Sequence, residues 1–159
     1  MRHEWRKLSM KELYFDDLKV GDKFQSETFE VPGNAIIEFA EKFDPQKFHL
    51  NMKSAERSIF KGLVASGWHT AAITMRLFVQ TLNFAEGVIG LGVDELRWPN
   101  PIRPGDVVRV ETEIVDLRKS RSKPNYGIIR IRNVTKNQRD EIVQTMFASA
   151  LVSRRKVRS

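Results

Sequence analysis

The chain has 159 residues, no cysteine and a formal net charge of +7. A chain of this length forms one ordinary domain with its own hydrophobic core. The absence of cysteine excludes thiolate zinc sites, a cysteine nucleophile and disulfide bonds. No apolar run approaches the roughly 18 residues that a membrane helix needs, and the first residues lack the apolar centre of a signal peptide. We therefore expect a cytoplasmic protein with no membrane partner.

The positive charge is concentrated at the two ends of the chain. Residues 1–11 carry a net charge of +3 and residues 153–159 a net charge of +4, which together account for the whole excess. The body between them is neutral, unlike a groove that neutralises many nucleic-acid phosphates. We expect a domain core at about residues 14–152, short basic tails, and no nucleic-acid partner.

A strand and a helix are predicted in the first third of the chain. Residues 23–31 follow a Gly-Asp turn signal and contain enough Phe and Val for a strand. A helix is predicted next, with Asn34 as its N-cap and apolar residues at helical spacing behind it. Asp44-Pro45 ends this helix, since proline disfavours helical geometry in the residue before it. We expect residues 43–51 to be irregular.

Residues 67–85 decide the predicted architecture. Arg76 is their one fully charged side chain, and apolar residues on almost every face are typical of a buried helix. The pattern of the remaining residues predicts strands at residues 87–98, 107–117, 126–134 and 141–152. A proline- and glycine-rich turn separates the first two strands.

An antiparallel sheet curled around one long hydrophobic helix accounts for both the apolar helix and the strands that follow it. Residues 107–115 support it, because apolar or small side chains alternate there with charged ones, as in a strand with one buried face. This α+β arrangement is called the hot-dog fold. A curled sheet leaves an edge strand and one flank of the helix to be covered, so we expect a homodimer or a dimer of dimers.

Asp44 and His49 are the first candidates for chemistry. They stand in the stretch that follows the predicted first helix, where the flanking Phe43 and Phe48 favour a position at the edge of a pocket. The spacing alone also permits a simpler interpretation, in which Asp44 caps a turn and His49 is a surface residue. His69, at the start of the long helix, is expected to be partly buried and hydrogen-bonded to backbone or to a neighbour.

Gly67 stands where the long helix should begin. The first N–H groups of a helix lack internal acceptors and carry the positive end of its dipole, so they suit an anion. A glycine permits a ligand oxygen to approach the backbone closely. Stabilisation of negative charge on a thioester oxygen requires this close approach. The alternative is an ordinary helix start capped by Ser66.

These pieces, in this order, resemble the MaoC-like family of hot-dog proteins, which includes the (R)-specific enoyl-CoA hydratases and acyl dehydratases. The resemblance covers about residues 14–152. Its matching residues are Asp44-Pro45-Gln46-Lys47-Phe48-His49, Ser66-Gly67, and Leu96-Arg97-Trp98 with the turn to Gly105-Asp106. The chain departs from the family pattern at Gln46, where Asn is usual, at Lys47, where Pro is usual, and at Ser66, a position often held by His.

The resemblance implies a hydratase or dehydratase that acts on 2-enoyl or (R)-3-hydroxyacyl thioesters. Asp44 and His49 would hold a water molecule and move its protons, and we expect partial burial to raise the pKa of Asp44. The N–H of Gly67 would bind the thioester oxygen. The other predicted substrate contacts are Gln46, Ser66, Trp68 and Met75.

The substrate implied is an acyl-CoA or an acyl-carrier thioester, with coenzyme A as part of the substrate and no cofactor or metal. The basic run at residues 118–123 is either a partner for the phosphates of coenzyme A or an exposed hairpin turn. Two other functions remain open, a thioesterase on the same fold and an acyl-thioester-binding subunit without turnover. Release of free thiol from a saturated acyl-CoA would indicate a thioesterase. Tight binding of crotonyl-CoA without an absorbance change would indicate a binding subunit.

Overall fold

A sheet of six strands and a long central helix form the body of the molecule. The computed structural model describes residues 5 and 11–156, so the predicted basic tails lie largely outside the described residues. The strands are β1 (Lys23–Gln25), β2 (Phe29–Glu30), β3 (Val88–Arg97), β4 (Val107–Lys119), β5 (Tyr126–Lys136) and β6 (Ile142–Ser153). The helices are α1 (Gly33–Phe43), α2 (Lys47–Leu50), α3 (Met52–Glu56) and α4 (Gly67–Thr81), preceded by a 3-10 turn at Phe15–Asp17.

The strand order is β1-β4-β5-β6-β3, with β2 also paired to β4, and every pairing of these strands is antiparallel. The helix α4 packs against the sheet in two apolar clusters. Ile73 and Leu77 belong to one, and Phe78 belongs to the other. The predicted α+β hot-dog fold is confirmed. No helix in the described part of the chain is long and apolar enough to cross a membrane.

The predicted end of α4 and its predicted burial were both wrong. The helix stops at Thr81 rather than at residue 85, because Leu13 pairs with the following segment through bonds to Asn83 and Ala85. One side of α4 is exposed in the single chain, and so are eight of the ten residues of β3. We call this surface the α4–β3 face; its residues are Trp68, Met75, Val79, Ile89, Leu91 and Val93, which are 40–60% exposed.

Two other predicted boundaries differ from the structure. The predicted strand at residues 23–31 is split into β1 and β2, because the Ser26 hydroxyl accepts the N–H of Val110 at 2.8 Å in place of a backbone carbonyl. The helix α1 begins at Gly33, before the predicted cap Asn34. Pro32 is the actual N-cap. Its backbone is extended (ψ 145°), and helical geometry begins at the next residue, Gly33.

The two ends of the sheet are marked by turns that the sequence predicts. At one end, Gly105 takes a positive φ of +82°, and the Asp106 carboxylate accepts the N–H of Arg103 at 2.8 Å. At the other end, the basic run leads from β4 into an exposed turn before β5. The predicted hairpin turn is therefore confirmed, and it lies at the opposite end of the sheet from the turn at residues 99–106.

Gly127 provides a test of this packing, because the ring of Phe15 lies directly on it. A Cβ atom on Gly127 would occupy the space of that ring. We expect Gly127→Ala to lower the free energy of unfolding by about 1–3 kcal/mol through overpacking, as measured by urea unfolding. In a Phe15→Ala background the added methyl group should cost less. An equal cost in both backgrounds would contradict the packing described.

Candidate active site

The stretch after α1 brings Asp44 and His49 together. Asp44 is the C-cap of α1, and successive backbone bonds from Gln46 to Asp44 and from His49 to Gln46 turn the chain back on itself. Residues 43–51 are thus not irregular throughout, because the short helix α2 carries His49. His49 Nε2 lies 3.3 Å from Asp44 Oδ2. His49 is only 5% exposed, so the interpretation of it as a surface residue is wrong.

The second ring nitrogen of His49 fixes its tautomer. His49 Nδ1 lies 2.6 Å from the carbonyl oxygen of Val64. A carbonyl oxygen can only accept, so Nδ1 donates and carries a proton. In the neutral ring the free lone pair is therefore on Nε2, the atom beside Asp44. His49 is oriented to take a proton on that atom.

Asp44 is held as a carboxylate by its neighbours. Gln46 Nε2 donates to Oδ1 at 2.7 Å, and Ser66 Oγ donates to Oδ2 at 2.7 Å. The Ser66 bond is the largest cause that holds the pKa of Asp44 below its ordinary value, and burial, which raises the pKa, offsets it only in part. The expectation of a raised pKa was therefore wrong, because donors to the charged form outweigh desolvation.

An ionised carboxylate beside an imidazole lone pair makes a site for water. Asp44 Oδ2 and His49 Nε2 are both acceptors when the ring is neutral, so neither can donate to the other. A water molecule has two O–H groups and can donate one to each. The pair is therefore arranged to bind and polarise a water molecule.

The start of α4 meets Asp44 through Ser66. Ser66 is the N-cap, and its hydroxyl oxygen accepts the N–H of Trp68 at 3.2 Å while the hydroxyl donates to Asp44. Ser66 is fully buried, so the predicted cap also supports the carboxylate from behind. Gly67 is the first residue of α4, and its N–H has no acceptor within the helix.

The structure gives Gly67 a second role that the sequence did not reveal. A Cβ atom at this position would lie 2.6 Å from the ring of Trp98, so the indole packs on the bare Cα. Trp98 Nε1 donates to Gln144 Oε1 at 2.8 Å, and Gln144 Nε2 donates to Thr74 Oγ1 at 3.0 Å. The one available signal was a glutamine within the apolar pattern of β6, where a buried amide needs partners.

A cleft of about 380 Å³ opens over these groups. Five predicted site residues line it, namely Asp44, Gln46, His49, Gly67 and Trp68. Ser66 does not line the cleft and acts behind Asp44, and Met75 lies away from it on the α4–β3 face. Phe48 lines the cleft as the sequence predicts, whereas Phe43 is 71% exposed and does not line it. The wall residues that sequence reasoning missed include Phe60, Thr70 and Trp98.

His69 stands apart from this chemistry. Its ring stacks on Phe39 with centroids 4.7 Å apart, and its Nδ1 is buried with no hydrogen-bond partner among the described residues. The expected hydrogen bond at this nitrogen is therefore absent from the described part of the chain. Burial lowers the pKa of His69, and it does not line the cleft.

The model of the MaoC like domain family matches residues 18–137. The chain belongs to this family. It is 49% identical to the MaoC-like dehydratase from Rhodospirillum rubrum, whose structure superposes with a TM-score of 0.86 over 91% of this chain and 99% of that one. R-hydratase PhaJ1 from Pseudomonas aeruginosa is 25% identical, with a TM-score of 0.75 over 92% of this chain and 89% of that one.

A further relative supports the same reaction class. The 3-hydroxybutyryl-CoA dehydratase of Methylorubrum extorquens is 30% identical over 112 residues, which span 70% of this chain and 69% of the relative. Membership of the MaoC-like family, together with these relatives, supports a hydratase or dehydratase at the level of the family.

The electrostatic part of this MaoC-like site can be tested at Ser66. Ser66→Ala removes the largest cause of the lowered pKa of Asp44, so we expect that pKa to rise toward the ordinary value of 3.8. A lowered pKa in the folded state stabilises the protein above the unfolded pKa, and this stability is lost as the pH falls through the folded pKa. The deficit of the variant should therefore be larger at neutral pH than in acid.

Urea unfolding at a series of pH values measures this difference. The loss of the helix cap by itself costs about 1 kcal/mol at every pH. A deficit that does not change with pH would therefore show that Ser66 acts on the helix alone and not on Asp44.

Proposed function

We propose that this protein hydrates 2-enoyl thioesters and dehydrates (R)-3-hydroxyacyl thioesters. The observation that carries the proposal is the convergence of Asp44 Oδ2 and His49 Nε2, 3.3 Å apart, at a cleft that the start of α4 also lines. Family membership supports the reaction class, and the R-hydratase and dehydratase relatives support thioester substrates.

Each group of the site has one task in this reaction. His49 Nε2 takes a proton from the water as the water oxygen bonds to C3 of the enoyl group. The electron pair of the double bond moves toward the thioester oxygen, where the N–H of Gly67 and the helix dipole stabilise the charge. The imidazolium then returns the proton to C2, so one water is added in full. Dehydration is the same path in reverse.

Asp44 does not exchange protons in this scheme. Its pKa is held low by Ser66 and Gln46, which makes it a weak base at neutral pH. It accepts one hydrogen bond from the water and stabilises the imidazolium that forms 3.3 Å away. The pair is thus divided into a base, His49, and a charged orienting group, Asp44.

His49→Gln and Asp44→Asn should each lower the turnover number for crotonyl-CoA by about 100- to 10,000-fold, since each removes a group that acts on the water. Loss of the enone absorbance measures the rate. His69→Phe is the matched control, because His69 lies outside the cleft and its ring already stacks on Phe39. We expect the control to retain activity. A His49→Gln variant as active as the control would contradict the assigned base.

We further propose that the working form is a homodimer built on the α4–β3 face. β3 pairs with β6 on one side only and is an edge strand, whose outer N–H and C=O groups lack partners in the sheet. Apolar residues of β3 and α4 are exposed beside it. A twofold axis at this edge pairs β3 antiparallel with the same strand of the second copy, which satisfies the strand and covers the apolar residues.

This face is also continuous with the site. Trp68 is 60% exposed on the face and lines the cleft as well. A second copy that covers the face therefore closes one side of the cleft and keeps bulk water from it.

Leu91→Lys should convert the dimer to a monomer, because it places a charge in the centre of the apolar face. Light scattering coupled to gel filtration measures the mass. Val20→Lys is the control, since Val20 is 61% exposed on a turn away from the face, and we expect it to stay dimeric. A monomeric wild type, or a Leu91→Lys dimer, would contradict the assembly.

A further inference from the structure

Seven basic side chains gather at the end of the sheet remote from the cleft. The hairpin between β4 and β5 and the segment after β6 come together there, because Tyr126 pairs with Ser153 and the N–H of Arg154 donates to the carbonyl of Asn125 at 2.8 Å. We call this cluster the basic end; it comprises Arg118, Lys119, Arg121, Lys123, Arg154, Arg155 and Lys156.

Five of the seven side chains of the basic end are available to bind an anion. Asp16 lies 3.6 Å from Arg154, and Asp17 pairs with Arg155 at 2.8 Å. The other five side chains of the basic end are exposed and form no ion pair with a carboxylate of the described residues. Around the cleft, by contrast, residues 38–61 carry five basic and four acidic side chains, so they offer little net charge.

The basic end lies too far along the sheet to serve the cleft of its own chain. Val88 at the start of β3 is paired with Val152 near the end of β6, whereas Arg97 at the other end of β3 leads into the cleft wall. The ten residues of β3 separate the two ends by roughly 30 Å. The predicted contact of residues 118–123 with a phosphate of coenzyme A therefore fails within one subunit.

In the proposed dimer, the basic end of one subunit lies close to the cleft of the other subunit. Antiparallel pairing of β3 with its copy sets Val88 of the partner subunit beside the end of β3 that leads into the cleft. The segment that begins at Arg154 of the partner subunit then lies one strand further out. Two strand spacings, roughly 10 Å, separate it from the wall of the cleft, and the hairpin between β5 and β4 lies three to four spacings, roughly 14–19 Å, from that wall.

We propose that the basic end of one subunit binds the phosphate groups of the coenzyme A whose thioester lies in the cleft of the other subunit. This assignment rests on the proposed function. Twelve bonds join the sulfur of coenzyme A to its diphosphate, as many as in four extended residues, which span roughly 14 Å. The nucleotide therefore reaches the basic end of the partner, where charge-assisted hydrogen bonds hold its phosphates.

The double variant Arg121→Glu/Lys123→Glu tests the contact, because both side chains are exposed on the turn. We expect KM for crotonyl-CoA to rise about tenfold or more, with the turnover number unchanged, since each lost or reversed charge weakens phosphate binding. KM for crotonyl-pantetheine, which lacks the nucleotide, should not change. An unchanged KM for crotonyl-CoA would overturn the assignment.

A matched control reverses two exposed cations of α3 and its C-cap, Lys53→Glu/Arg57→Glu, since α3 packs against the helix α2 that carries His49 in the same chain. We expect less than a threefold change in KM for crotonyl-CoA, as for screened surface charges. If this control raises KM and the hairpin variant does not, the phosphates lie on the subunit that holds the thioester, and the assignment is wrong.

Calorimetric titration with free coenzyme A separates this inference from the proposed reaction. Weaker binding to the hairpin variant than to the wild type supports the phosphate site even if neither protein hydrates crotonyl-CoA. Equal binding to both proteins overturns the site even if both are active hydratases.

Mixed dimers show which subunit supplies the charge. One subunit carries His49→Gln with an intact basic end, and the other carries Arg121→Glu/Lys123→Glu with an intact His49. In this dimer the one active cleft faces the intact basic end, so KM for crotonyl-CoA should return to the wild-type value. A KM as high as that of the double variant would show that the charge acts within one subunit and would overturn the assignment.

Discussion

The hydroxyl group of Ser66 joins the long helix to the carboxylate on which the site depends. It accepts the N–H of Trp68 and donates to Asp44 at 2.7 Å, so the helix start and the carboxylate are fixed relative to each other. The same bond keeps Asp44 ionised. In the proposed reaction the carboxylate therefore stays charged, and the proton acceptor is His49, whose tautomer the carbonyl of Val64 sets. The proposed division of roles between base and orienting group rests on these two hydrogen bonds.

A buried polar chain holds the opposite wall of the cleft. Trp98 is anchored by Gln144, and Gln144 by Thr74, which lies 2.7 Å from the hydroxyl of Thr135. These last three residues are fully buried, and their hydrogen bonds satisfy groups that would otherwise destabilise the core. The chain links α4 to two strands of the sheet, and through Trp98 it fixes the indole against Gly67. The helix N-terminus is therefore positioned by the sheet as well as by Ser66.

The sequence predicts those features that depend on local spacing. Helical and strand periodicity yields the fold, and the spacing of Asp44 and His49 identifies the pair only together with the resemblance to the MaoC-like family. The direction of the pKa shift is missed because the strongest donor, Ser66, is distant in the chain and meets Asp44 only after folding. The exposed side of α4 is missed because an apolar pattern is the same whether the sheet or a second chain covers it. The place of Trp98 on Gly67 is missed because it depends on the register of β3 against β6.

In the proposed reaction, Asp44 and His49 direct water to C3 of an enoyl thioester and not to its carbonyl carbon. Incubation of crotonyl-CoA in oxygen-18-labelled water, followed by mass spectrometry, tests this most directly. We expect intact 3-hydroxybutyryl-CoA with the label in its hydroxyl group and no free thiol. Labelled free acid with released coenzyme A would identify a thioesterase, and unchanged crotonyl-CoA would identify a protein that does not turn this substrate over. Either result would contradict hydration by Asp44 and His49.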